Sequence, residues 1–205
     1  MSISRLRRGR GRAGANPKPD GANAGYVLPP TVTRDALLQK GSDRAFRTLV
    51  NDLFTIASRM EIVRAHLGRR MGISGPQYSF LIAIAHLQGE AGVRVGTLAR
   101  AMHVSSAFIA SETGKLARLG LLLKRPNPHD RRGVLLTLTP AGGLEIDRLS
   151  AEIRAINDLF FGPLDAKSFI ALCAAAQALV RGSAKAVHYV NTVEHEPSLA
   201  LKAAE

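Results

Sequence analysis

The sequence predicts a mainly α-helical fold carrying a winged helix-turn-helix with a two-stranded β wing. Three observations predict it. Apolar residues recur at three- and four-residue steps over most of residues 42–190, the period of amphipathic helices. Two short helical patterns, "GTLARAMH" and "SSAFIASETGKLARLG", are joined by a tight turn in which only His103 and Val104 precede Ser105. Two β-prone runs, "LLLKR" and "GVLLTLT", then flank the charged segment "PNPHDRR". With only 7 Phe, 3 Tyr and no Trp, packing through Leu, Ile, Val and Ala fits helices better than a β-sandwich.

The elements follow in order. Residues 1–41 begin with a Gly-, Pro- and Arg-rich stretch that offers little to bury, and they read as a disordered basic arm. Its arginines at 5, 7, 8, 10 and 12 suit either DNA phosphates or a solvated tail. From Ser42, residues Phe46, Leu49, Leu53, Ile56, Met60, Val63 and Leu67 mark a long helix that stops near Gly72. Ser74 and Gln77 make an S-x-x-Q capping box with Pro76 in the first turn, and the apolar run 80–85 implies a buried helix. In the second short helix, Ser105 is the N-cap and Gly120 the C-terminal stop. Thr139-Pro140 starts another long helix, which ends at Gly162-Pro163. Asp165 caps the last one, with Phe169, Leu172, Ala176, Leu179 and Val187 on one stripe. Residues 191–205 read as a flexible tail.

Charge narrows the function. The chain carries 28 basic and 16 acidic residues, net +12. Residues 1–40 and 94–139 each hold 8 Lys/Arg against 2 acids, whereas residues 140–205 are slightly acidic. A basic block that coincides with a helix-turn-helix points to nucleic acid. A single cysteine, Cys173, rules out an internal disulfide framework, and among alanines and leucines it is expected to pack as a small hydrophobe. The six histidines show no metal-ligand spacing, so no metal and no cofactor are expected. Nor is there a nucleophile–base pair or a glycine phosphate loop, so an enzyme is not expected. No apolar run reads as a membrane span and no secretory signal is evident, so the expected location is cytoplasmic.

The hairpin has a clear role beside such a helix. A recognition helix fits the major groove, and a projecting wing reaches the adjoining backbone or minor groove, where negative potential favours Arg. Asp130, two residues before Arg132, is placed to hold that guanidinium in a fixed fork. The outward stripe of the recognition helix is read as Ser106/Ala107, Ser111, Lys115 and Arg118, with Ser105 mainly a cap and Arg131 a further cation of the wing. Arg94, Arg100, Lys124, Arg125 and Arg131 suit either phosphate contacts or a solvated face.

The stretch "VGTLARAMHVSSAFIASETGKLARLGLLLKRPNPHDRRGVLLTLTPAG" resembles the MarR family of bacterial regulators, and the helix order extends the likeness over most of residues 42–190. The pattern D-x-R-x-x-x-x-x-L-T-x-x-G stands here as Asp130, Arg132, Leu138, Thr139 and Gly142. The resemblance implies a homodimer whose body is built by helices 42–70 and 140–190, with DNA-binding parts at 93–139. It implies a pseudo-palindromic operator with half-sites about 10 bp apart. It also implies a repressor released by a small effector bound between the body and the winged domain. Arg132 resembles the family's minor-groove arginine and Asp130 its partner. The recognition helix departs from the family pattern, with Ser111 where relatives often carry Arg. The wording F-I-A-S-E-T-G-K-L resembles the branch tied to aromatic-acid catabolism, some of whose members bind aryl-CoA thioesters.

Candidate lining for an effector pocket is Phe54, Arg64, His66, Tyr78, Phe80 and His86. Glu112 shares a face with Ile109, Leu116 and Leu119, so its carboxylate points at the core edge. It is either a structural pair with a nearby Arg or a backbone cap, or a relay between effector and recognition helix. The competing function is an architectural, nucleoid-type DNA-binding protein without an effector, which predicts weak sequence preference and a steep salt dependence.

Overall fold

The computed structural model describes residues 28–128 and 130–195. The chain divides into two compact units, residues 1–54 and 55–205. In the first, a 3-10 turn at Asp35–Leu37 and a bridge between Gln39 and Ser42 lead into α1 (Arg44–Arg70), which runs on into the second. Asp43 organises this entry. It is buried, and its carboxylate accepts hydrogen bonds from the Thr31 amide (2.7 Å) and hydroxyl (2.8 Å) and pairs with Arg47 at 2.9 Å. The Thr31 amide, first among these, lowers its pKa below the ordinary aspartate value. Residues 28–41 therefore carry local structure where the sequence read only an arm. A tie across twelve residues leaves no periodic signature.

The second unit is the winged domain. α2 (Gly75–Leu87) begins with the expected capping box: the Gln77 amide donates to Ser74 Oγ and the Ser74 amide to Gln77 Oε1. α3 (Val95–Met102) ends at His103, whose left-handed backbone (φ 53°) turns the chain sharply into α4 (Ser106–Arg118). β2 (Leu122–Asn127) and β3 (Asp130–Leu138) form the wing. β1 (Val93–Arg94) pairs antiparallel with β3, which makes a three-stranded sheet of order β1-β3-β2 instead of two strands. Two residues cannot show a β pattern; their strand comes from pairing with Leu135 and Leu136. The strands reach into the segment read as the extended, charged tip: Asp130, Arg131 and Arg132 belong to β3, and Asn127 pairs with Asp130 after a register shift between Pro126 and Asn127.

α5 (Pro140–Phe161) starts on Thr139, whose hydroxyl accepts from the Gly142 amide and donates to the Gly120 carbonyl at 2.6 Å. A Cβ on Gly142 would overlap the Leu121 carbonyl oxygen. Thus the T-x-x-G pattern serves the junction of wing and helix. The core is Leu81, Ile84, Leu98, Ile109, Leu116 and Leu136, all fully buried, with Val93 and Leu122 from the sheet edges. α6 (Ala166–His195) runs five residues past the expected end at 190. Its length and composition, with a mean hydropathy of 1.2 over its most apolar window, suffice for a membrane span, contrary to the sequence reading. Small alanines spread that hydropathy too evenly to stand out as a run. Cys173, expected to be packed, is exposed on α6.

Candidate nucleic-acid interface

α4 is held by one face and presents the other. Ile109, Glu112, Thr113 and Leu116 are buried, while Ala107, Ser111 and Arg118 are exposed on the opposite side at helical spacing. Ser105 acts as N-cap, accepting from the Phe108 amide at 3.2 Å, and Ser106 is exposed in the first turn. The same outward face includes Gly114, which the sequence reading passed over. Its signal was a glycine inside an otherwise good helical run. Lys124 of β2 donates to the Ala110 carbonyl at 3.2 Å, bracing the wing against α4. Arg94, Arg100 and Arg125 are exposed around it.

At the wing tip Asp130 is exposed and stands opposite Asn127, which is buried. The side chains of Arg131 and Arg132 lie outside the described residues, and so does the expected Asp130–Arg132 fork. The backbone nevertheless fixes both arginines at the start of β3, at the end of the hairpin.

Glu112 is tied on two sides. Gln77 Nε2 donates to its Oε2 at 2.8 Å, and Lys115 Nζ donates to its Oε1 at 2.6 Å. The Lys115 hydrogen bond, followed by the opposing effect of burial and then the Gln77 bond, leaves the carboxyl below the ordinary glutamate pKa. Lys115, read as a free groove contact, is thus an exposed ammonium anchored to a buried carboxylate. Gln77 was legible as a cap residue, but its bond across 35 residues was not.

The expected effector residues are only partly brought together. A cavity of about 110 Å³ lies among Met60, Val63, Arg64, Leu67, Tyr78, Ile156, Asn157, Phe160 and Phe161. Arg64 and Tyr78 line it; the other four candidates stand elsewhere. Phe54 is 73% exposed. Phe80 is buried and packs edge-on against Phe108, ring centroids 5.7 Å apart. His86 is exposed on the last turn of α2. His66 turns to α5, its Nε2 2.6 Å from Glu152, which also accepts from Arg70 at 3.1 Å. Arg64 donates to Ser79 Oγ (3.2 Å) and to Glu61, while its buried Nε has no partner among the described residues. Burial raises the Tyr78 phenol above its ordinary pKa, so it stays a neutral donor at the cavity wall. Asn157, Phe160 and Phe161 were missed because their meeting with α1 and α2 is tertiary.

The sheet order, the short turn between α3 and α4, and the flanking helices define a winged helix-turn-helix fold of the MarR type. Residues 65–133, about a third of the chain, match the MarR family model. Among solved structures, the PcaV transcriptional regulator from Streptomyces coelicolor, in complex with its natural ligand, is similar at 28% identity over 62% of this chain and 90% of that one, with a TM-score of 0.50. AbsC, a MarR-family regulator from the same organism, is similar at 17% identity over 72% and 97%, TM-score 0.60. A cysteine-to-serine mutant of E. coli MarR complexed with operator DNA is similar at 17% identity over 64% and 93%, TM-score 0.55. No curated protein is similar to the chain at a significant level.

Proposed function

We propose that this chain is a homodimeric, sequence-specific DNA-binding transcriptional regulator of the MarR type, a repressor released by a small aromatic acid. One observation carries the DNA-binding reading. The exposed face of α4 and the basic wing lie side by side within the stretch that matches the family model. Ser106, Ser111 and Lys115 address the major groove, Arg118 and Arg131 contact the backbone beside it, and Arg132, with Asp130 as orienting partner, addresses the minor groove. Serines and lysine read bases less decisively than Arg or Asn, so shape and phosphate contacts carry much of the affinity.

A second copy is the natural cover for the apolar surface of the long helices. Leu159, Phe169, Ile170, Leu179, Val187 and Tyr189 are all at least half exposed in the single chain. Large apolar side chains left exposed in this number along these helices suit a partner surface. The ligand-bound PcaV relative supports an effector. The Arg64 cavity, at about 110 Å³, is smaller than an ordinary ligand pocket and would have to widen to seat an aromatic ring; Arg64 and Tyr78 are its polar lining for a carboxylate. A CoA thioester would have to lie mostly outside it. Glu112 links α2, which carries Tyr78 at the cavity wall, to α4, and acts as the relay.

The test is selection of duplexes from a random pool by the purified protein, followed by sequencing. The expected result is an enriched inverted repeat with half-sites about 10 bp apart. A pool with no enriched sequence would contradict sequence-specific regulation and favour the architectural reading. Aromatic acids are then titrated against the enriched duplex, with release of the protein expected.

A further inference from the structure

Gly114 sits in the middle of α4, where a glycine costs helix stability relative to alanine. Some glycines of this protein are required by packing: a Cβ on Gly68 or Gly142 would strike neighbouring backbone. Gly114 is different. Its backbone is ordinary right-handed helix, and among the described residues, apart from its chain neighbours and the helix's own backbone, a built Cβ meets within 4 Å only Arg118 Nη1 (3.9 Å) and Lys124 Nζ (4.0 Å), both ends of flexible side chains. Folding therefore gives no reason for the glycine. Two cations from different elements, α4 and β2, converge over the bare backbone, and neither has a carboxylate partner among the described residues. The gap faces outward beside Ser111 and Arg118, toward the C-terminal half of the helix.

We propose that Gly114 is a contact residue of the DNA interface: its missing Cβ leaves the seat in which a backbone phosphate of the duplex is held between Arg118 and Lys124. The inference rests on the DNA-binding reading above and deepens it. In helix-turn-helix proteins the first turns of the recognition helix approach base edges, which brings its later turns toward the sugar-phosphate chain. A phosphate oxygen bonded to both nitrogens would stand about 2.8 Å from each, and the bare backbone of Gly114 leaves the phosphate room to approach them. Lys124 serves both roles, since its bond to the Ala110 carbonyl holds the ammonium at the edge of the seat.

The experiment compares wild type with Gly114→Ala, Arg118→Ala and Lys124→Ala. Each is measured by thermal unfolding and by anisotropy on a duplex enriched from a random pool by the wild type, across a salt series. Gly114→Ala is expected to raise Tm by about 2–4 °C, the effect of removing a helix-interior glycine. It is also expected to weaken DNA binding about five- to hundredfold, the range of one lost contact. Stability and affinity move in opposite directions, which no loss of folding imitates. Arg118→Ala and Lys124→Ala are each expected to lower the salt slope by about 1. Unchanged affinity for Gly114→Ala, or a fall in its Tm, would overturn the seat while leaving the DNA-binding reading intact. A wild type that binds no duplex at all would overturn both.

Discussion

The Gln77 side-chain amide donates a 2.8 Å hydrogen bond to Glu112, and through it the first turn of α2 is fastened to the buried face of α4. Gln77 also closes the capping box with Ser74, so one side chain serves helix α2, its cap and the recognition helix. Glu112→Ala would leave the buried Gln77 donor unsatisfied and is expected to cost about 1–3 kcal/mol. Glu112→Gln keeps an acceptor and is expected to cost less, while altering effector release more than DNA affinity. Denaturant unfolding and DNA titration with and without an aromatic acid check both; a stability loss alone would mark the residue as purely structural.

The same carboxylate gives a pH dependence. Its pKa is lowered in the folded protein, chiefly by the Lys115 hydrogen bond, so the unfolded chain binds the proton more readily. Its contribution is therefore complete above the unfolded value of about 4.3 and disappears as pH falls through the lower folded value. The stability difference between wild type and Glu112→Gln is expected to be constant near neutrality and to shrink in acid below about pH 5. A difference that grows on acidification would reverse the sign of this account.

Gly142 ties the wing to α5. Because a Cβ there would overlap the Leu121 carbonyl oxygen, Gly142→Ala forces α5 away from the start of β2. The expected loss is about 1–3 kcal/mol, as for other overpacked sites. Thr139→Ala is expected to cost about 1 kcal/mol through loss of the cap to the Gly142 amide. Both are read from unfolding midpoints, and a neutral Gly142→Ala would refute the close approach.

Arg132→Ala is expected to weaken operator binding by about 1–3 kcal/mol with the dimer intact, as checked by anisotropy and sedimentation. For the cavity, Arg64→Ala is expected to abolish release by an aromatic acid while leaving DNA affinity within a few-fold, since Arg64 lies on α1 and not on the α4 face. Release that persists in Arg64→Ala would place the effector elsewhere.

Much of this fold was legible because its signals are local. The Ser74–Gln77 box, the Ser105 and Thr139 caps and the spacing of apolar residues each act within one or two turns, and each recurs in the structure. What escaped the sequence depends on distant partners. β1 exists only against β3, Asp43 is buried only because Thr31 folds back on it, and Glu112 finds Gln77 thirty-five positions away. The cavity shows the same division. Arg64 and Tyr78 were found as polar residues on adjacent helices, but His66, equally polar, turns instead to Glu152 on α5, a choice that no period in the sequence encodes. Long-range pairings decide which side of a helix is cavity, core or surface, and the apolar pattern of α1 and α6 could not say how much of it stays exposed in the single chain.

The most direct test of the central claim is fluorescence anisotropy of the full chain on the enriched duplex and on a shuffled duplex of equal length, at two salt concentrations. The account predicts a preference of 10³ or more, roughly the specificity of a regulator, that survives moderate salt. Equal binding to both duplexes, lost together as salt rises, would contradict it and leave a protein that reads only the phosphate backbone.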